Sequence, residues 1–413
     1  MSGNSSTSGS WAAAWRAAAL AFLASRIVVL LGIVPGAWAL IGSDPARNKG
    51  LVVEAAMMWD AGWYWRVATL GYFTWTPETG SNLAFCPLYP ALVRGLMGAL
   101  DLLGIQAGPP PFGNFVLAGL LISNACFLSA LVLLWRLVRG AYPAAVADRT
   151  LLLIAIFPTG LFWSAIYTES LFLLLVVGVF WFARQQRWAV SALLAGLAAI
   201  TRWAGLLLAG VILVEYLFPP GAPAGSWRAR LPGLPAVLRW LPLALVPFAA
   251  YVGWLGLRFG SPLVFLEAEQ KGWQHSSSFF PLVWIDSLGL LINSWQTNGA
   301  GDEPVLHWGS GQRLYFYQDL VFSAGFAVLA GVAAWRRWLP PAEWAWLALG
   351  LIFPLSLGTT LAISRYLLPL WPAFVLLARV GVARPWLERG WLLASASLLA
   401  VTAYLWASGH WMA

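Results

Sequence analysis

Long apolar runs, separated by short charged or Pro/Gly-rich connections, dominate the pattern of the chain. A run of about 20 apolar residues is long enough for a helix to cross a bilayer. The pattern predicts an all-α, polytopic membrane protein with about eleven transmembrane helices, within a range of about nine to twelve. The predicted segments lie near 15–40, 114–138, 150–163, 166–183, 188–200, 203–218, 236–258, 313–335, 342–362, 366–382 and 390–408.

Two of these segments, 150–163 and 188–200, are too short for a full crossing, and each is followed at once by another apolar run. We therefore expect each pair to form a hairpin that stops short of the far surface. Short or broken helices at membrane depth are tolerated only where they line protein or water. The pattern thus predicts a cavity near the tips of these hairpins.

Basic residues predict the sidedness of the chain. Arginines cluster in five connections, at 136–149, 184–187, 228–239, 336–337 and 384–389. The positive-inside rule assigns such connections to the cytoplasm. The remaining connections then share the outer face, which gathers the most polar and irregular segments there: the long loops 41–113 and 259–312 and the tips near 166–169, 201–202 and 364.

Composition agrees with this pattern. The 413 residues are 60% hydrophobic and only 10% charged, whereas a soluble domain has about 25% charged residues. The net charge of +8 is spread among apolar spans, so it is interpreted as a topology signal, and no nucleic-acid partner is expected. Cys86 and Cys126 form no metal or redox motif. These features exclude a disordered chain, a coiled coil and a disulfide-stapled secreted domain.

The chain is predicted to form one membrane domain, 1–413, with residues 1–10 disordered because they are rich in Ser and Gly. The stretch 17–40 could be a signal peptide, since Ala37-Trp38-Ala39 resembles a cleavage site. A weak basic region before it, and Arg26 inside it, favour a retained first helix. Both outer loops are too apolar and Trp-rich to form a separate soluble domain.

Two acids stand apart from the others because apolar and aromatic residues surround them. Asp60 lies in Met57-Met58-Trp59-Asp60-Ala61, and either a helix N-cap or a catalytic acid fits this context equally well. Glu169 lies at a predicted tip, in Ile166-Tyr167-Thr168-Glu169-Ser170. An acid at that depth is costly, so it is either functional or paired with an arginine.

Two arginines are predicted on the same face as these acids. Arg202 interrupts a long apolar stretch, and Arg365 stands between two spans in Ser364-Arg365-Tyr366. Either side chain could snorkel to the interface. Since guanidinium groups match phosphate oxygens well, two arginines beside two acids favour an anion site next to an acid or base.

Two outer-loop motifs have a simpler interpretation. The Pro-punctuated aromatic turn 82–90 is interpreted as shaping its loop, and so is the stretch 262–270 with Trp273. Glu267, Gln270 and Trp273 could nevertheless hydrogen-bond and stack on a sugar. The acids Asp148, Glu343 and Glu388 are interpreted as solvated helix caps, Glu215 as a span end and Asp319 as a span start.

The ordered set of motifs resembles the PIG-V family of mannosyltransferases, which add the second mannose in glycosylphosphatidylinositol synthesis, and its bacterial relatives. The matching motifs, spread over roughly residues 16 to 385, are Trp59-Asp60-Ala61 with Gly71-Tyr72, Ala84-Phe85-Cys86-Pro87-Leu88-Tyr89-Pro90, Phe157-Pro158, Tyr167-Thr168-Glu169-Ser170-Leu171-Phe172, Arg202-Trp203-Ala204-Gly205 and Ser364-Arg365-Tyr366.

The resemblance implies a GT-C glycosyltransferase fold and inverting transfer of mannose from a polyprenyl-phosphate donor to a hydroxyl of a lipid-linked glycan or other acceptor. It implies that Asp60 is the general base and that Arg202 and Arg365 are candidates for the donor phosphate. Residues expected to contact sugar or acceptor are Glu169, Tyr167, Trp59, Tyr64, Gln270, Trp273 and Tyr366. Membrane lipids are expected partners, and no metal or other cofactor is required by this chemistry.

Two departures from the family pattern limit what carries over. Relatives often have His two or three residues after the Asp, where this chain has Gly62-Trp63-Tyr64. The Ala-, Trp- and Arg-rich composition is typical of bacteria, which make no such anchor, so the acceptor does not carry over. The expected location is the bacterial plasma membrane, with the active site on the extracytoplasmic face.

Two other functions remain open on sequence alone. A lipid-linked-sugar flippase or small-solute transporter would also explain short, discontinuous segments, although the chain has no internal repeat and Asp60 lies in an outer loop. A membrane scaffold would leave the isolated charges at 60, 169 and 202 without a purpose.

Overall fold

The protein folds as a bundle of α-helices, as seen in a computed structural model. The structure describes residues 10–44, 49–76, 80–223, 225–273, 282–285, 287–289, 310–358, 360 and 362–410. Throughout this described part no β-strand occurs, and an isolated bridge between Thr76 and Gly80 is the only extended pairing. The expected disorder of residues 1–10 falls almost wholly outside the described residues, as does most of the loop 274–309.

The helices follow one another with short connections. They are α1 (Trp11–Ser43), α2 (Leu51–Ala56), α3 (Asp60–Leu70), α4 (Leu88–Leu102), α5 (Phe115–Arg139), α6 (Ala144–Ala155), α7 (Glu169–Arg184), α8 (Trp188–Ala199), α9 (Leu207–Leu217), α10 (Trp227–Arg230), α11 (Pro235–Leu238), α12 (Leu241–Phe259), α13 (Val264–Trp273), α14 (Ser310–Arg336), α15 (Pro341–Leu355), α16 (Ile363–Leu367), α17 (Trp371–Ala383) and α18 (Pro385–Ala407).

A helix lies in each of the eleven predicted segments, so the predicted all-α membrane architecture is confirmed. Five stretches of the described chain are long and apolar enough to cross a membrane: Trp11–Ser43, Phe115–Arg139, Pro235–Phe259, Leu314–Arg336 and Pro385–Ala407. Shorter apolar helices, including Trp188–Ala199 and Pro341–Leu355, stand between them. The chain is therefore an integral membrane protein.

The predicted helix at 150–163 is displaced: α6 ends at Ala155, and residues 156–168 are irregular apart from a 3₁₀ turn at Gly160–Trp163. Pro158 explains the break, because proline disfavours the helical conformation of the residue before it and lacks an N–H. Trp163 stacks on Phe127 of α5 at a centroid distance of 4.8 Å, which fixes the turn in the core. The segment ends at α7, so the break sets the position of Glu169.

Polar side chains of the neighbouring helices satisfy this irregular backbone and its side chains. The Ser25 hydroxyl donates to the Ala155 carbonyl oxygen at 2.5 Å. Arg26 donates to Asn124 Oδ1 at 2.8 Å and to the Ser164 hydroxyl. Arg26, which the sequence placed inside an apolar helix, therefore braces the break instead of reaching the membrane surface.

A buried ionic cluster lies at the predicted cytoplasmic end. Arg184 Nη2 lies 2.5 Å from Glu343 Oε1, and Arg184 Nε lies 3.2 Å from Glu215 Oε1. Glu343 is completely buried. The expectation that Glu343 and Glu388 are solvated caps is wrong, because Glu388 is paired too, with Arg149 at 2.8 Å. A charge at the end of an apolar segment can face either water or a partner helix.

Replacing the shared arginine should destabilise the bundle strongly. Arg184→Gln would leave two buried carboxylates without their cation, and breaking a buried ion pair costs about 3–5 kcal/mol. We expect a clear fall in the thermal unfolding temperature in detergent. Arg187→Gln, at an exposed arginine of the same connection, is the matched control and should unfold like the wild type; an equal fall in both variants would contradict the role of the cluster.

The predicted sidedness can be tested by cysteine labelling. In a chain lacking Cys86 and Cys126, Leu102→Cys and Arg228→Cys should react with a membrane-impermeant maleimide from opposite sides of sealed vesicles. Leu102 is 90% exposed and belongs to the loop predicted outside, whereas Arg228 is exposed in a connection predicted inside. Labelling of both positions from the same side would refute the topology.

Candidate active site

Four charged side chains from distant parts of the chain meet in a single alternating row. Asp60 Oδ2 accepts a hydrogen bond from Arg365 Nη1 at 2.8 Å. Arg365 Nε lies 3.3 Å from Glu169 Oε1, and the same oxygen accepts from Arg202 Nη1 at 2.6 Å. The structure thus brings together the four charges that stood out in the sequence. Their formal charges sum to zero.

Asp60 is the first residue of α3 and not its N-cap. The N-cap is Trp59, whose φ of 53° and ψ of −118° turn the chain sharply and which makes no capping hydrogen bond through its side chain. The Asp60 backbone N–H donates to the Tyr167 hydroxyl at 2.9 Å. The carboxylate therefore points to Arg365 while the backbone is held by the segment before α7. This geometry does not fit the simple capping interpretation.

Glu169 begins α7 and is 1% exposed. One carboxylate oxygen, Oε1, faces both arginines. The other, Oε2, is buried and makes no hydrogen bond to any described residue. A buried carboxylate oxygen without a donor is costly, so Oε2 is available to a hydroxyl group that enters the site.

The two arginines lie in connections between spans and keep 11–12% of their side-chain surface exposed. The Tyr366 ring lies 4.4 Å from Arg202 Cζ and 5.6 Å from Arg365 Cζ. Burial lowers the pKa of each guanidinium, but the charge of Glu169, joined at Arg365 by that of Asp60, outweighs it and leaves both pKa values above the ordinary range. Both side chains are therefore permanent cations.

Packed tyrosine rings lie beside the row of charges. The ring of Tyr64 packs edge-on against Tyr167 at 5.9 Å and Tyr89 at 5.2 Å. The Tyr64 hydroxyl also donates to Thr168 Oγ1 at 3.5 Å. Tyr64, Tyr167 and Tyr366, which are predicted to contact sugar or acceptor, thus lie beside the charged row. Thr168, which the sequence did not mark, contacts Arg202 at 3.5 Å.

The motif at 82–90 shapes its loop. Asn82 Oδ1 accepts from the Phe73 N–H at 2.9 Å, and its amide nitrogen donates to the Gly71 carbonyl oxygen at 2.8 Å. The Leu88 N–H donates to the Ile200 carbonyl oxygen at 3.0 Å, which ties this loop to the tip that carries Arg202. The structural interpretation of this motif is therefore confirmed.

The remaining predicted contact residues differ in position. Trp59 is half-buried, and its indole Nε1 makes no hydrogen bond to any described residue. Gln270 is exposed on α13; the Phe265 ring of the same helix packs on Trp203, next to Arg202, at 5.8 Å. The side chain of Trp273 lies outside the described residues. The structure thus does not join Gln270 to the four charges.

Removing the hydroxyl of Tyr167 should loosen Asp60 without removing any charge. In Tyr167→Phe the buried N–H of Asp60 loses its acceptor, which costs about 1–3 kcal/mol. We expect lower thermal stability in detergent together with reduced turnover. Tyr89→Phe is the matched control, since Tyr89 is equally buried but its hydroxyl pairs with Ser123 at 2.8 Å; it should lose stability and keep turnover. The same loss of turnover in both variants would argue against a role of Tyr167 in placing Asp60.

Comparison with known proteins gives a family match over part of the chain. Residues 44–218 match the sequence pattern of the mannosyltransferase (PIG-V) family. Over this segment the chain is similar to the PIG-V mannosyltransferases. The matched segment contains Asp60, Glu169 and Arg202. Arg365 lies outside it, and the fold brings this residue to the other three.

One curated relative and several solved structures resemble the chain. GPI mannosyltransferase 2 of Chaetomium globosum is 33% identical over an alignment of 147 positions, which covers 32% of this chain and 29% of that protein. The chain therefore spans less than a third of this relative.

The oligosaccharyltransferase of Archaeoglobus fulgidus in its apo form gives a TM-score of 0.47 at 15% identity, covering 94% of this chain and 56% of that one. The same archaeal enzyme, AglB, in complex with an inhibitory peptide and a dolichol-phosphate, gives 0.46 at 16% identity, covering 96% and 56%.

Proposed function

We propose that the protein is an inverting membrane glycosyltransferase that transfers mannose from a polyprenyl-phosphate donor to an acceptor hydroxyl. The observation that carries the proposal is the row Asp60–Arg365–Glu169–Arg202, which sets a carboxylate base directly beside cations suited to a phosphate. The match to mannosyltransferases supports the sugar. The GT-C fold implied by the sequence resemblance is part of this proposal.

The two arginines hold the donor phosphate. Guanidinium groups bind phosphate oxygens through paired N–H donors. During transfer the bond between sugar C1 and the phosphate oxygen breaks, and its electron pair stays on the phosphate as a second negative charge. Fixed cations placed where charge develops lower the barrier. The raised pKa values of Arg202 and Arg365 mean that neither cation gives up its proton to the leaving group.

Asp60 accepts the proton of the acceptor hydroxyl as the new bond to C1 forms. Its carboxylate is hydrogen-bonded to Arg365, so donor phosphate and Asp60 compete for the same guanidinium. Binding of the phosphate to Arg365 weakens this ion pair and leaves the Asp60 carboxylate a better base. The base is thus strengthened at the moment when the donor is in place.

Two hydrogen-bonding atoms without partners among the described residues are available to bind sugar hydroxyls. Glu169 Oε2 can accept from a sugar hydroxyl, and the indole N–H of Trp59 can donate to one, since neither atom has a partner among the described residues. Tyr366 and Tyr64 add aromatic surface. The reaction needs no metal under this proposal, because the two arginines neutralise the single phosphate.

The site faces the extracytoplasmic side of the plasma membrane under the proposed topology, where a polyprenyl donor can enter laterally from the lipid. The acceptor is a hydroxyl of a lipid-linked glycan or a similar molecule. A flippase or small-solute transporter is the alternative, and turnover separates it from an enzyme, since a flippase forms no glycosidic bond.

The decisive experiment uses purified protein in detergent with radiolabelled polyprenyl-phosphate mannose, glucose and arabinose in parallel, each with an extracted pool of acceptor lipids. We expect label from the mannose donor to appear in a new product. Label from glucose or arabinose alone would correct the sugar. No product in detergent, together with lipid-sugar translocation in sealed vesicles, would favour the flippase.

A further inference from the structure

Asp319 is a completely buried acid of α14 that the sequence marked only as a span start. Its two carboxylate oxygens accept from two backbone amides of the turn before Arg365: Oδ2 from the Ala362 N–H and Oδ1 from the Ser364 N–H, both at 2.8 Å. The Ser364 hydroxyl also donates to Oδ1. All of these hydrogen bonds go to the segment that carries Arg365.

That segment cannot hold its shape unaided. Helix α16 has five residues, far fewer than a helix needs to be stable on its own. Its N-cap, Ala362, has no side-chain acceptor and adopts a left-handed conformation at φ 62°, which is unfavourable for a residue other than glycine. Asp319 supplies from another helix the capping acceptor that Ala362 lacks.

A second hydrogen bond, from the irregular segment before α7, holds the same turn. The Thr159 hydroxyl donates to the Ser364 carbonyl oxygen at 3.2 Å. The turn is therefore held at both its N–H and its C=O groups, and the Arg365 guanidinium projects from it to Asp60 and Glu169. A change in the orientation of this turn would move the Arg365 guanidinium relative to both acids.

We propose that Asp319 is a positioning residue that sets the direction of Arg365 toward the donor phosphate. We call the hydrogen bonds of Asp319 to Ala362 and Ser364 the clamp. The clamp follows from these hydrogen bonds alone, whereas the identity of the ligand rests on the proposed function. Asparagine cannot replace Asp319, because it offers one acceptor oxygen and turns a donor toward the second backbone N–H.

The clamp is tested first by amide hydrogen exchange, followed by mass spectrometry of a peptic fragment that spans 360–367. In Asp319→Asn we expect exchange of this fragment to accelerate by about tenfold or more, because two protected amides lose a good acceptor. Gln318→Leu is the matched control, since Gln318 is a buried neighbour on the same helix but bonds to Thr402 at 3.1 Å. Unchanged exchange in Asp319→Asn would overturn the proposal.

The second arm measures phosphate binding and turnover. Asp319→Asn should weaken binding of farnesyl phosphate and raise the donor KM by about tenfold or more, with the acceptor KM nearly unchanged. A purely structural role would instead reduce active protein and leave both KM values alone, and that result would overturn the positioning role. Should Asp319→Asn not fold, Ser364→Ala removes a single hydrogen bond and should give smaller changes in the same directions; no change in exchange or donor KM would overturn the proposal.

The two proposals fail separately. Wild-type protein that neither binds farnesyl phosphate nor forms product refutes the proposed function and, with it, the phosphate as the target of Arg365, while hydrogen exchange still decides whether Asp319 holds the turn. Wild-type protein that is active, with faster exchange but unaltered donor KM in Asp319→Asn, refutes the positioning role alone.

Discussion

Asp60→Asn should reduce turnover by at least about 10²-fold while the protein remains folded and still binds the donor. Asparagine keeps the shape of the side chain and one acceptor for Arg365, but it cannot take the acceptor's proton. General-base assistance contributes about 10²–10⁴ in rate. The measurement is kcat with radiolabelled donor, together with farnesyl phosphate binding by calorimetry.

Binding should survive in Asp60→Asn because the variant removes a negative charge that competes with phosphate for Arg365. Asp101→Asn is the matched control: Asp101 is an acid near the end of α4, bonded to Asn114 at 2.6 Å, and its loss should leave turnover near the wild-type value. Trp63→His is a companion variant that restores the residue type often found near this position in relatives. Full activity in Asp60→Asn would move the base elsewhere, with Glu169 as the next candidate.

Arg365→Gln should have the largest effect of any single substitution at the site. Arg365 pairs with both acids, whereas Arg202 pairs with Glu169 and not with Asp60. Its loss removes a cation from the donor phosphate and separates Asp60 from its ionic partner. We expect kcat/KM for the donor to fall by about 10²–10³-fold, the scale measured for removal of a single preorganised donor group at a site of developing charge.

Three further variants serve as comparisons for Arg365→Gln. Arg365→Lys keeps the charge but loses the planar fork of donors, so it should recover only part of the activity. Arg202→Gln should lose less than Arg365→Gln; a larger loss would assign the phosphate mainly to Arg202. Arg94→Gln, at an arginine of α4 that donates to the Ala68 carbonyl oxygen at 3.0 Å, should remain active. Thermal unfolding in detergent separates lost stability from lost chemistry.

The sequence identified the charged residues of the site because ionised groups surrounded by apolar residues are expensive in a membrane and need a reason. It could not predict how they pair. Asp60 and Arg365 are 305 residues apart, and only the folding of the whole chain makes them partners. The arginine clusters in the connections predict that the four charged residues lie on the same side of the membrane. They do not predict the distances between them.

The cost of an ionised group among apolar residues also applies to two acids whose burial the sequence analysis did not predict. Asp319 and Glu343 were assigned to span ends, where water is assumed to be near, yet both are completely buried. Sequence position along a helix does not reveal the direction in which a side chain points. An acid inside the apolar sequence Tyr317-Gln318-Asp319-Leu320-Val321 was the signal available for the positioning residue, and the cost of burying it could have raised the question.

The first and last long helices lie in close contact and run in the same direction. A Cβ at Gly32 would collide with the Ala400 carbonyl oxygen, and one at Gly36 with that of Tyr404, so residue numbers rise together along the two helices. If α1 enters the bilayer from the cytoplasm, α18 does the same and ends on the outer side. The chain then makes an odd number of crossings, which reduces the predicted range of nine to twelve to nine or eleven. The outer end of α18 also reaches the site, since Trp406 packs on Tyr167 at 5.4 Å.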